Sequence, residues 1–318
     1  MKFLYSTLLG LFIIFSGLYL WNNKSKVKTY VSNLTFNAQI NSEIFANKDI
    51  EPKLDESQML MSQIATESQF STPLYKKWCD EIKENPKYHR KQWEFVYILQ
   101  ALNERGMISK GKKGVGFGVG EEPMPAIFAK NGVEVLATDL NQEDAKAAGW
   151  VDTAQHLSSK EILNKKQIAP QDLFDSLVSI RDLDMNAIPE DIKDYDFTWS
   201  SCALEHLGSI ENGLKFIENS LKTLKPGGIA VHTTEYNLTS NEDTLSTGGT
   251  VIFRKKDIQD LVKRLTDNGH EVYVNYNPGN GKLDKHIDLP PYKHDDHIKL
   301  QLNKYVTTSI GLIIRKKF

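Results

Sequence analysis

The 318 residues carry 39 Lys and Arg against 41 Asp and Glu, a formal charge of -2, and 40% of them are apolar. This describes a globular chain long enough for one large domain with additions or two small ones, and without the sustained basic face that would make nucleic acid an expected partner. Cys79 and Cys202 are the only cysteines, too few for a disulfide framework or a thiolate metal site, which favours a reducing compartment.

In chain order, the run from Phe3 to Trp21 contains no charged residue. As a helix it would be about 28 Å long, enough to cross a hydrocarbon core once. A cleaved signal peptide fits less well, because the run is long for an h-region and no small-x-small cleavage site follows it. Residues 1–28 are therefore expected to be a membrane anchor. Lys24, Lys26 and Lys28 slightly outweigh Lys2 and the amino terminus, so the body is expected on the cytoplasmic side. Residues 29–90 read as a polar tether followed by a helical extension. Helical patterning is clearest from Lys91 to Gly106, where Trp93, Val96, Tyr97 and Leu99 can share an apolar face and Gly106 supplies a stop.

The most informative stretch is Lys113-Gly-Val-Gly-Phe-Gly-Val-Gly-Glu121, with glycine at every second position ahead of a helix opened by Pro123 and Pro125. Such a turn lets backbone come close to a ligand without Cβ obstruction. Asp139 ends the next alternating run, 19 residues after Gly120, where an α/β nucleotide fold places an acid against ribose hydroxyls. The dinucleotide fingerprint G-x-G-x-x-G is absent in every frame. Its last position falls on Val119, Glu121 or Pro123, which argues against a nicotinamide-dependent oxidoreductase, the alternative reading. What fits is G-x-G-x-G at Gly116, Gly118 and Gly120.

From Gly114 onward strands alternate with helices, which implies a mostly parallel sheet covered on both faces. Strands are expected at Ser176–Ile180, Tyr195–Ser200, Ile229–Thr234, Glu271–Tyr276 and Thr308–Ile314. One helix is expected to bury Ile210, Leu214, Ile217, Leu221 and Leu224 and to stop at Pro226, and another spans Asp257–Asn268.

The glycine turn resembles motif I of the class I S-adenosylmethionine (SAM) dependent methyltransferases. Asp196-Phe-Thr-Trp-Ser-Ser-Cys-Ala-Leu-Glu-His-Leu207 looks like their strand-four motif, Leu224-Lys-Pro-Gly-Gly228 their turn before strand five, and Asp184-Met-Asn-Ala-Ile-Pro189 their strand-three motif. The stretch from about Trp93 to the end is also similar to bacterial methyltransferase-domain proteins encoded among glycan-building genes. The resemblance implies a Rossmann-like, doubly wound, seven-stranded, mostly parallel sheet over residues 91–318 and SAM as cofactor. It further implies cofactor contacts from Gly116, Gly118, Gly120, Asp139 and Ser201, and adenine reading by Asp184 and Met185. The family usually has an acid two residues before the first glycine of this motif, where this chain has Gly114. Glu121 or Glu122 is expected to substitute for it.

Methyl transfer from SAM is mainly a matter of positioning. An oxygen acceptor on a glycan or small polar metabolite is the expected substrate, and a nearby base would help it lose its proton. His206, Glu205, His232 and Glu235 lie at or after the ends of strands four and five, where open α/β sheets bind ligands, and His206, Glu205 and Glu235 are the catalytic candidates. A catalytically silent SAM-binding scaffold is a further alternative. His286, Asp288, His294, Asp295, Asp296 and His297 crowd one late loop, which reads as a lid rather than a metal site.

Overall fold

The computed structural model describes residues 59–147, 155–293 and 295–318. The expected anchor at Phe3–Trp21 and most of the expected tether lie outside these residues. Among the described residues no helix is long and apolar enough to cross a membrane.

The chain begins with β1 (Ser62–Ile64), the one-turn helix α1 (Glu67–Phe70), α2 (Pro73–Glu81) and α3 (Arg90–Asn103). Alternation follows with β2 (Lys113–Phe117), α4 (Met124–Lys130), β3 (Glu134–Asp139), α5 (Gln142–Ala147), α6 (Gln171–Leu177), β4 (Val178–Asp182) and β5 (Tyr195–Ser201). Next come β6 (Gly208–Ser209), α7 (Ile210–Ser220), β7 (Leu224–Asn237), β8 (Thr247–Gly248), α8 (Lys255–Asp267), β9 (Val274–Asn275), β10 (Leu300–Leu302) and β11 (Tyr305–Arg315). Local chemistry sets several helix starts. Thr72 Oγ1 accepts from Tyr75 N at 3.1 Å with Pro73 as the first residue of α2, and Ser209 Oγ accepts from Asn212 N at 3.1 Å.

Among the described residues the main sheet has nine strands in the order β4-β3-β2-β5-β7-β11-β1-β9, with β10 paired to β11. The five from β4 to β7 are parallel, and β11 runs antiparallel to β7 from Arg315↔Ile229 to Thr307↔Asn237. Seven strands are expected from the sequence. The two additional ones are β10 and β1, and β1 lies between β11 and β9 through Gln63↔Gly311 and Ser62↔Val274. Three residues with a polar centre leave no periodicity to read, so β1 is invisible locally.

Two other expectations shift. Leu224 opens β7 rather than closing α7, and the Pro226-Gly227-Gly228 turn is absorbed within that 14-residue strand, whose pairing with β5 is irregular between Tyr195 and Phe197. Ser176 and Leu177 end α6, and the strand begins at Val178.

Each sheet face has its own apolar core. Trp93, Tyr97, Phe128, Phe174, Phe197 and Trp199 belong to one, with α2, α3 and α4 contributing. Val115, Phe117, Phe216, Ile217, Leu261 and Leu312 belong to the other, with α7 and α8. Strand alternation does the sorting: Val115 and Phe117 point to the second core, so Gly114 and Gly116 between them face the first, where β5 supplies Phe197 and Trp199.

Candidate active site

A cavity of about 580 Å3 opens at the carboxyl ends of β2, β3 and β5, the size and place at which an α/β sheet holds a nucleotide-sized ligand. Gly118 and Gly120 line it with φ of +60° and +54°. A Cβ on Gly118 would lie 2.7 Å from Ala203 Cβ, and one on Gly120 would lie 2.4 Å from Gln155 O. The other two glycines of the motif do something different. A Cβ on Gly114 would stand 2.3 Å from the Phe197 ring and one on Gly116 2.3 Å from the Trp199 ring, so both are strand residues that leave room for core aromatics. Gly116 is not among the described residues lining the cavity. Gly114 has no room for the acid expected at its position, because Phe197 fills that space.

Gly118→Val is expected to abolish SAM binding in a calorimetric titration. The left-handed φ and the close Ala203 add a cost of about 1–3 kcal/mol. The melting temperature should therefore fall by several degrees. Normal SAM binding by this variant would reduce the glycines to a turn.

Asp139 lines the cavity from the end of β3. Its Oδ2 accepts from Gly120 N and Leu157 N, both at 3.0 Å, and its Oδ1 from Leu140 N at 2.8 Å. The carboxylate thus pins the glycine turn, while the one lone pair left on Oδ1 suits a ribose hydroxyl. Asp184 and Met185 line the same cavity, Asp184 with Oδ1 accepting from Asn186 N at 2.8 Å. Glu121 lines it too, with its carboxylate in an ion pair with Lys165. Ser201 lies at the end of β5, donating to Glu94 Oε2 at 3.2 Å and accepting from Lys91 Nζ at 3.1 Å.

His206 is the catalytic candidate that reaches the cavity. It ends the 3-10 turn Leu204–His206, and its Nδ1 lies 2.8 Å from Gly249 O. Glu205 and Glu235 are not among the described residues lining the cavity. Glu205 is 1% exposed and accepts from Thr234 Oγ1 at 3.0 Å. Glu235 is buried in an ion pair with Arg90; burial raises its pKa, and Arg90 only partly offsets this. His232 is mid-strand and fully buried between Ser200 Oγ at 2.8 Å and Ser220 Oγ at 3.1 Å, and burial pushes its pKa down to about 3. It is a neutral core residue.

Two sites suggest metal chemistry. In the late loop His297 Nδ1 meets Asp288 Oδ2 at 2.6 Å, both buried, but among the described residues no third ligand joins them. Ligand atoms of Cys202, Glu205 and Glu235 lie within 4.8 Å of one another. There the Arg90 guanidinium already pairs with Glu235 and stands 3.9 Å from Cys202 Sγ, and burial holds the thiol well above its usual pKa, so the donor set does not suit a cation.

Sequence reasoning missed Lys91. It was read as the start of a packing helix, yet its ammonium reaches Ser201 O at 2.9 Å and lines the cavity. Its spacing from the glycine motif gives no signal, since α3 meets β5 only through the fold.

Residues 115–232 match the family model described as "Methyltransferase domain". No curated protein matches the chain. Among solved structures, a SAM-dependent methyltransferase from Aquifex aeolicus is 16% identical, with 68% of this chain and 88% of that one covered and a TM-score of 0.36. TehB from Haemophilus influenzae is 15% identical, with 68% and 61% covered and a TM-score of 0.39. The glycopeptide N-methyltransferase MtfA is 14% identical, with 68% and 92% covered and a TM-score of 0.40. These likenesses are too distant to carry an argument; the family match, the four motifs and the glycine cradle carry it. Residues 115–232 form a methyltransferase domain, and the protein is a SAM-dependent methyltransferase with SAM as its cofactor.

Proposed function

We propose that the enzyme methylates an oxygen of a small polar metabolite or a glycan, with His206 as the base. The observation that supports this is His206 on the cavity wall with Nδ1 beside the Gly249 carbonyl. A proton on Nδ1 donated to that carbonyl leaves the lone pair of the neutral ring on Nε2. When bound, SAM would supply an activated methyl group, its carbon–sulfur bond breaking to leave the neutral thioether. The acceptor oxygen takes the methyl as its proton passes to Nε2, and the half-buried imidazole then returns that proton to solvent.

Incubating the protein with methyl-labelled SAM and a polar cell extract, followed by identification of the labelled product, tests this reading. A label stable to mild base in an ether linkage is expected. Label on nitrogen or carbon would sink the oxygen assignment, and SAM binding without any transfer would leave a silent scaffold.

The sequence also supports a tether at Phe3–Trp21 that holds the domain at a membrane with its body in the cytoplasm. Deleting residues 1–28 is then expected to move the protein from the membrane pellet to the supernatant with SAM affinity kept, because the motifs all lie beyond Lys113. Pelleting of the shortened chain with membranes would point to a different contact surface.

A further inference from the structure

We infer that Glu122 and Lys91 form an ionic clamp for the amino-acid end of SAM, the Glu122 carboxylate receiving the ammonium and the Lys91 ammonium the carboxylate. The inference rests on SAM being the cofactor. Both residues line the cavity, and Lys91 is the only Lys or Arg among its described lining residues. Asp139, Asp184 and Met185 occupy the part assigned to ribose and adenine. The wall formed by Lys91, Phe95, Glu122 and Ser201 is left for the remainder of the ligand, a zwitterion that needs one group of each charge.

Glu122 is an unusual residue to find there without such a partner. It is 4% exposed, and its Oε2 accepts from Trp199 Nε1 at 3.1 Å. One neutral donor does not replace the water that a carboxylate loses on burial. Its position is nevertheless built in: Gly116 lacks a Cβ where the Trp199 ring lies, and that indole holds Glu122 at the cavity wall. The Lys91 side chain is 42% exposed and lines the cavity, and its Nζ bonds Ser201 O and Oγ and pairs with Glu94 Oε2 at 3.3 Å, so an arriving carboxylate would take the place of one of these three acceptors.

The clamp has a proton signature. Burial raises the Glu122 carboxyl to about 8; Lys91 and the Trp199 N–H pull it down, Glu94 and Asp139 push it up. Near neutral pH in the free protein it is mostly protonated. An arriving ammonium ionises it, so binding releases a proton and affinity rises with pH until Glu122 is already ionised in the free protein.

Calorimetry on the full chain tests this with three ligands: SAM, 5′-methylthioadenosine, which lacks the amino-acid end, and decarboxylated SAM, which keeps the amine. From about pH 6 to about pH 7, below the usual range of an α-amino group, SAM affinity should rise up to tenfold. Close to one proton should be released, measured in two buffers of different ionisation enthalpy, while methylthioadenosine shows neither effect. Glu122→Gln should weaken SAM about 10- to 100-fold, remove the proton release and leave methylthioadenosine within about threefold. Lys91→Gln should weaken SAM but spare decarboxylated SAM.

Equal loss of SAM and methylthioadenosine in Glu122→Gln would assign Glu122 to structure. SAM binding by the unaltered protein without proton release would also overturn the clamp, independently of whether either variant folds. Both of those results leave the cofactor assignment standing. Failure of the unaltered protein to bind SAM or methylthioadenosine would overturn that assignment and the clamp with it.

Discussion

His206→Gln is expected to lower turnover by about 10² to 10⁴ while SAM affinity stays within a few-fold of the unaltered enzyme. The residue sits on a turn fixed from both sides. His206 N bonds Ala203 O at 3.1 Å behind it, and Val251 N donates to Glu205 O at 2.9 Å, which ties the turn to the segment that also presents Gly249 O and Thr250 Oγ1 to the imidazole. A glutamine amide can still donate to the Gly249 carbonyl, so the turn should hold, but it takes no proton in this pH range. The substitution therefore separates proton transfer from positioning. If His206 is the base, kcat/KM and kcat fall together and the melting temperature is unchanged. Turnover within a few-fold, or a parallel loss of SAM affinity, would reject the role. Methyl transfer would then run on positioning alone, because Glu205 and Glu235 are closed off in buried pairs.

The alternation of strands and helices, the glycine turn and the distance to Asp139 were legible because each depends on local spacing. What the glycines are for was only half legible. Gly118 and Gly120 are left-handed turn residues on the cavity wall, whereas Gly114 and Gly116 answer to Phe197 and Trp199, which arrive through a parallel pairing with β5. No window around position 114 contains that information. The same distance hides Glu122, whose indole partner lies 77 positions away, and Lys91, whose carbonyl and hydroxyl partner Ser201 lies 110 positions away.

Glu235 shows the opposite error. The strand expected to end at Thr234 runs on to Asn237, so Glu235 pairs within it, and α3 brings Arg90 onto its carboxylate. Glu94, from the same helix, is fully buried. Burial alone would raise its carboxyl, but Lys91 and Arg90 outweigh that and hold it ionised below its ordinary range. The helix that looked like core packing therefore also supplies the charges behind the site.

Asp139→Ala should weaken SAM by about tenfold or more, since a charge-assisted hydrogen bond from the ribose to the acceptor position left on Oδ1 is worth about 1.5–3 kcal/mol. The structure adds a second route to the same loss. Gly120 N and Leu157 N both donate to Oδ2, so removing the carboxylate also frees the glycine turn and the start of the segment after it. The two routes separate by ligand. 5′-Methylthioadenosine keeps the ribose and should weaken as much as SAM, in contrast to its indifference to Glu122→Gln. Its 2′,3′-dideoxy form lacks the hydroxyl that Asp139 is assigned to bind. If ribose binding dominates, Asp139→Ala barely changes affinity for the dideoxy ligand; if the carboxylate matters chiefly as a brace for the turn, both forms weaken alike. Unchanged SAM affinity in Asp139→Ala would move the nucleoside site away from the end of β3 altogether.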